Sequence, residues 1–256
     1  MLKLQFKYLS FFLVLISILS FFNIIYSYYL NLYLNLDTYY YTLITSLLLS
    51  ILFYSIKINL KKISIFEKIF TIFFGYIFIP LILSIPFYFS IYSLSFIDSF
   101  FEAISGFTST GFSIFENIKH IDQSLILWRS SLQWLGGLYF LFSIVFLIDI
   151  YDDTFKKTLT NFISFNSSEI FKQTLKIFVL YSFLTLLIFI ILNLFSIRSF
   201  DSLNLAFTLI SSGGFLPTNE LSSIIKEDIQ IIILSLLMLT SFFSIFFSYN
   251  IFFLKK

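Results

Sequence analysis

The chain has 256 residues, 59% hydrophobic and only 12% charged, with a mean hydropathy of +0.96. A soluble domain usually carries about twice that charge fraction, so the composition is that of a membrane protein. The absence of cysteine excludes disulfides, thiolate chemistry and Cys-based metal sites, and the net charge of +2 is spread over segment boundaries, which gives no basis for nucleic-acid binding.

Lys3 and Lys7 precede a first apolar run over residues 8–30. That run exceeds the roughly 7–15 residues of a signal-peptide core and lacks a small-residue cleavage site, so it reads as a retained transmembrane helix. A polar turn at Asn35, Asp37 and Thr38 leads to a second run over 39–56, whose Tyr39, Tyr40 and Tyr41 suggest an interfacial belt. Lys57, Lys61, Lys62 and Lys68 separate it from a third run over 69–94, which contains Gly75, Pro80 and Pro86 and is expected to kink.

Residues 95–112, SFIDSFFEAISGFTSTGF, are too short and too polar to cross a bilayer. Their first half predicts a short helix from Asp98 to about Phe107, with Asp98 as N-cap and Glu102 in the first turn. Their second half, Thr108 to Phe112, suits an exposed loop. A polar connection with Glu116, Lys119, His120 and Asp122 precedes a fourth run over 125–150 that opens LWRSSLQWLGG and closes on Asp149, Asp152, Asp153, Lys156 and Lys157. A connector through Asn161, Asn166 and Glu169 leads to a fifth run over 174–197.

Residues 199–215, SFDSLNLAFTLISSGGF, then repeat the earlier loop. Placing Asp98 on Asp201 puts Ser99 on Ser202, Thr108 on Ser211, Gly111 on Gly214 and Phe112 on Phe215, an offset of 103 residues. The chain's two alanines, Ala103 and Ala206, also coincide. A polar stretch over 218–228 and a sixth run over 229–254 complete the chain, which ends Lys255-Lys256.

Each run holds at least about 18 apolar-dominated residues, enough to cross a core of about 30 Å. The expected fold is therefore an all-α polytopic membrane protein with six transmembrane helices and two re-entrant pore helices. Its units would be an N-terminal two-helix unit over 1–62 and two pore units over 63–160 and 161–256. With both termini cytoplasmic, twelve of the sixteen Lys and Arg residues fall inside, leaving Lys119, Arg129, Arg198 and Lys226 outside.

Non-helical backbone at membrane depth is tolerated only where protein buries it or water reaches it. Two Thr/Ser/Gly loops there imply a water-filled path, with the negative ends of the short helices and the loop carbonyls facing a cation. Neither TSTGF nor SSGGF contains an acid, which points to a monovalent rather than a divalent ion. No phosphate loop, metal-ligand cluster or nucleophile–base pair around the lone His120 supports an enzyme or a bound cofactor. Arg129 is expected to pair with Glu102 or Asp98, Trp128 and Trp134 to serve as belt and packing residues, and Gly136-Gly137 to allow close helix approach.

FEAISGFTSTGF, WRSSLQWLGG and the second loop ending GGF resemble the Trk/Ktr/HKT superfamily of potassium transporters, in particular the TrkH/TrkG membrane subunits. The resemblance covers essentially the whole chain and is closest at the first loop and the W-R-x-x-x-Q-W-x-G-G start of the following helix. It implies K⁺ uptake, sometimes with Na⁺, across a cell (inner) membrane through a filter of four such units. The ion-facing backbone would be Thr108, Ser109, Thr110 and Gly111 from the first unit, and Ser211, Ser212, Gly213 and Gly214 from the second. It also implies a cytoplasmic nucleotide-binding regulatory subunit. Family members hold four pore units, whereas this sequence holds two. A second half-transporter chain or a second copy would complete the ring; the alternative is a truncated, non-transporting remnant or assembly component.

Overall fold

The computed structural model describes residues 6–56, 65–147 and 167–242, all helix and connecting loop. Lys3, Lys57, Lys61, Lys62, Asp149, Asp152, Asp153, Lys156, Lys157, Asn161, Asn166, Lys255 and Lys256 lie outside the described residues, as do the expected unit boundaries and the end of the sixth run. The helices in chain order are α1 (Phe6–Tyr29), α2 (Leu36–Ser55), α3 (Ile65–Leu83), a single turn α4 (Ile85–Tyr88), α5 (Phe96–Phe107), α6 (Gln123–Leu147), α7 (Ser167–Leu194), α8 (Ser199–Ser211) and α9 (Asp228–Phe242). Short 3₁₀ turns at Ile118–His120 and Leu221–Ser223 precede α6 and α9.

Four stretches among the described residues are long and apolar enough to cross a membrane: Phe6–Tyr29, Leu36–Ser55, Phe66–Tyr88 and Leu175–Leu194. The third is interrupted at Ser84: Pro86 has no N–H to continue the helical ladder, and the chain resumes for only one turn. Helix α6 has 25 residues, but its first half holds Arg129, Ser130, Ser131 and Gln133, all buried in protein. By contrast α5 and α8, at 12 and 13 residues, reach only about 18–20 Å.

The distribution of side chains suits lipid outside and polar groups inside. Ile18, Phe21 and Phe22 of α1, Leu48, Ile51 and Leu52 of α2, and Val179, Phe183 and Leu186 of α7 are exposed. Between α1 and α2 the packed face is small and hydroxylated: Ser10 Oγ donates to Ser50 O at 3.0 Å and Ser50 Oγ returns a bond to Ser10 O at 3.2 Å. Thr38, Thr42, Ser46 and Ser50 form the buried stripe of α2. Tyr39 corrects the belt expectation, since it is fully buried and donates to Ser124 Oγ at 3.0 Å, whereas Tyr40 and Tyr41 are exposed.

One apolar core joins α1–α3, α5 and α6 around Phe12, Phe107, Tyr139 and Phe142. A second, smaller core joins α7, α8 and α9 through Ile188, Leu192, Leu205, Ala206, Leu209, Leu234 and Leu237. Asn35 ties the N-terminal pair to the next unit: its Oδ1 accepts from Ile91 N at 3.2 Å, and its Nδ2 donates to Asp122 Oδ2 at 3.3 Å. Nearby, Tyr92 donates to His120 O and accepts from Asp122 N; burial raises the phenol's pKa, which keeps it a donor.

Candidate ion pathway

The internal repeat is written in the backbone. Seven described residues have positive φ, and six of them form pairs 103 residues apart: Ser93 with Ser196 (51° and 63°), Ser109 with Ser212 (55° and 56°), and Gly111 with Gly214 (80° and 84°). The hydrogen bonds repeat as well. Ser105 Oγ donates to Phe112 O at 2.6 Å, and Thr208 Oγ1 to Phe215 O at 2.7 Å. Thr110 N bonds Ser105 O at 3.0 Å, and Gly213 N bonds Thr208 O at 2.9 Å. Thr108 Oγ1 and Ser211 Oγ each bond back one turn, to Ile104 O and Phe207 O.

Each short helix is therefore followed by the same left-handed serine, with a second left-handed residue, a glycine, two positions on. Serine in the left-handed region costs about 1–2 kcal/mol relative to its usual conformation. Such a cost persists only where surrounding bonds over-determine the backbone, which is common at functional sites.

The two loops meet. A Cβ on Gly111 would lie 2.5 Å from Gly213 O and 3.3 Å from Gly214 Cα. Seven of the eight candidate residues thus belong to two adjoining loops, and Ser211 is the last residue of α8. Thr108, Thr110, Ser212 and Gly214 are exposed, Ser109 and Gly111 half-buried, and Ser211 and Gly213 buried. Thr108 and Thr110 share a hydroxyl contact at 2.7 Å, so their side chains serve each other.

Glu102 and Arg129 sit behind the first loop. Arg129 Nε donates to Glu102 Oε1 at 2.7 Å, with both side chains sequestered (1% and 0% exposed). Glu102 also accepts from Ser113 Oγ at 3.1 Å and from Ile114 N at 3.0 Å, which ties the chain leaving the loop to the short helix. This selects Glu102 over Asp98 as the partner of Arg129. It also corrects Glu102's expected place in the first turn. Ser95 rather than Asp98 is the N-cap: its Oγ accepts from Asp98 N at 3.1 Å, and the helix begins at Phe96.

The two units join mainly through α6. The Arg129 guanidinium stacks on the Phe215 ring at 4.3 Å, and Ser130 Oγ donates to Asn204 Oδ1 at 2.6 Å. Trp134 Nε1 donates to Thr185 Oγ1 at 3.0 Å, and Trp128 Nε1 to Leu83 O at 3.1 Å, so both tryptophans are packing residues rather than a belt. A Cβ on Gly136 would overlap the Phe107 backbone, and one on Gly137 would meet Tyr181 and Ser211, consistent with the close approach expected there. Asn219 bridges the loops' far sides through Asn117 Oδ1 and Ile118 N. Sequence reasoning missed Gln133, which is fully buried against the second loop, and Asn204. The polar Q between Leu132 and Trp134, on a membrane-length helix, was the available signal for the former.

Such an arrangement, short helices carrying paired glycine loops among long apolar helices, defines a helical membrane protein. Comparison with known proteins is consistent with that class. No family profile matches the chain. An uncharacterized cation transporter of Methanocaldococcus jannaschii is 27% identical over 58% of this chain and 33% of its own length. The Trk system potassium uptake proteins TrkI of Halomonas elongata and TrkG of Escherichia coli are 38% and 37% identical, over 23% and 18% of this chain and 11% and 10% of their own. The crystal structure of the potassium transporter TrkH from Vibrio parahaemolyticus superposes with a TM-score of 0.72 at 17% identity, covering 92% of this chain and 49% of that one. The chain is thus similar to TrkH/TrkG-type subunits in sequence and fold, and spans about half the length of the solved relative; that partial coverage fits an N-terminal half.

Proposed function

We propose that this chain contributes two of the four filter segments of a potassium-uptake pore. The reading is carried by one observation, the repeated backbone of the two loops, in which left-handed Ser109 and Ser212 and left-handed Gly111 and Gly214 recur at one register and the loops adjoin. Backbone carbonyls of Thr108 to Gly111 and of Ser211 to Gly214 replace the hydration shell of K⁺, with Na⁺ as the alternative cargo. The helix C-termini of α5 and α8 add partial negative charge at the same place. Six crossings put both termini on the cytoplasmic side of the cell membrane, and both short helices enter from outside.

Two units leave open edges. Phe215 is 2% exposed against Arg129, whereas its counterpart Phe112 is 68% exposed. Ile232 and Leu236, which occupy the positions of Arg129 and Gln133 in the second unit, are also exposed. Two further pore units, from a second half-transporter chain or a second copy, cover these edges, and a cytoplasmic nucleotide-binding subunit regulates the assembly. The test is growth on limiting K⁺ of a host lacking its own uptake systems, with this chain expressed alone and with each candidate completing half. Rescue that requires a completing half supports the reading. Membrane-inserted chain that never rescues, with any half, supports a non-transporting remnant.

A further inference from the structure

We infer that Gln133 is a positioning residue that acts across the unit boundary, holding the second loop in register from the first unit's helix α6. Its functional meaning rests on the reading of the loops as an ion path. Gln133 is fully buried, and its Oε1 lies 3.3 Å from Phe215 N and 2.8 Å from Thr208 Oγ1. The single proton of the Thr208 hydroxyl is within reach of both Gln133 Oε1 and Phe215 O, so the carboxamide closes a three-membered network around the end of the loop.

The carboxamide also presses on Gly213. A Cβ there would fall 2.5 Å from Gln133 Oε1 and 2.6 Å from Nε2, closer than real side chains approach. Gly213 has an ordinary negative φ, so its glycine identity is explained by the amide pressed against it and not by a left-handed turn. The first loop carries Thr110 at the equivalent position, and its Phe112 N–H meets no equivalent of Gln133 among the described residues. Gln133 Nε2 has no hydrogen-bond partner in the described structure, so the fixed contacts run through the oxygen.

The two loops thus supply an internal control. Hydrogen exchange is measured by mass spectrometry on the full-length chain in detergent, comparing peptides covering 209–216 with those covering 106–113. Gln133→Leu removes the acceptor, and the second loop is expected to exchange about 10-fold faster while the first is unchanged. Gln133→Glu keeps the acceptor and should leave both loops near the unsubstituted rate. Gly213→Ala, which forces the amide and loop apart by another route, should also accelerate the second loop alone. Unchanged exchange in the second loop of Gln133→Leu, or equal acceleration of both loops, overturns the proposal. The readout involves no transport, so a failure of the ion-path reading would appear separately, as unaltered ion discrimination in a Gln133→Leu variant whose second loop has loosened.

Discussion

Replacing Arg129 with methionine isolates the buried ion pair. Glu102 is fully buried and accepts from Arg129 Nε, Ser113 Oγ and Ile114 N, so the substitution leaves a carboxylate with two neutral donors and no counter-charge. Breaking a buried pair by removing one partner costs about 3–5 kcal/mol. At about 2–4 °C per kcal/mol for a chain of this size class, the unfolding midpoint in mild detergent should fall by roughly 6–20 °C. Part of that loss is the stacking of the guanidinium on Phe215 at 4.3 Å, worth about 2 kcal/mol when desolvated. Glu102→Gln added to Arg129→Met removes the orphaned charge while an amide oxygen still accepts from Ile114 N. The double variant should therefore regain all but about the stacking contribution. A fall below about 2 °C for Arg129→Met, or a double variant less stable than the single, would refute the reasoning.

Two further outcomes follow from the loops. Alanine at Gly111 must adopt φ of +80° and also meet Gly213 O at 2.5 Å, whereas alanine at Gly214 meets nothing closer than Gly111 Cα at 3.7 Å. Thermal unfolding should show the Gly111 variant losing at least about 1 kcal/mol more than the Gly214 variant, which loses only the backbone cost of about 1–2 kcal/mol. The loop contact between Asn219 Nδ2 and Asn117 Oδ1 at 3.0 Å can be trapped, because the chain has no cysteine of its own. Asn117→Cys with Asn219→Cys should form a disulfide within one chain under mild oxidation, seen as a mobility shift that reductant reverses.

The repeat was legible because its demands fall on residue types with few substitutes. Gly111 and Gly214 sit where only glycine is unstrained, and the offset they define holds through both loops and both 3₁₀ turns. The left-handed serines were not legible, since nothing in Ser109 or Ser212 announces positive φ; the flanking helix end and hydrogen bonds impose it. The N-cap was misplaced because Asp98 and Ser95 are both good caps. The spacing of Ser95 three residues before an acid was a capping-box pattern that favoured Ser95.

Which tyrosine of the 39–41 run faces inward was also readable in principle. Tyr39, Thr42, Ser46 and Ser50 recur at helical spacing and mark the packed face. The sequence narrowed the partner of Arg129 to Glu102 or Asp98, and packing across 27 residues chooses Glu102; the contact of Gln133 with Phe215, 82 residues away, lies beyond local patterning.

Ion discrimination tests the central claim most directly. K⁺ and Na⁺ uptake would be compared in cells lacking their own K⁺ uptake, using this chain fused ahead of the second half of a full-length Trk-type subunit, with and without Gly111→Ser and Gly214→Ser. The account expects K⁺-selective uptake from the unsubstituted fusion and loss of the preference in both serine variants. Selective uptake indifferent to both substitutions, or a membrane-inserted fusion that takes up no K⁺, would contradict it.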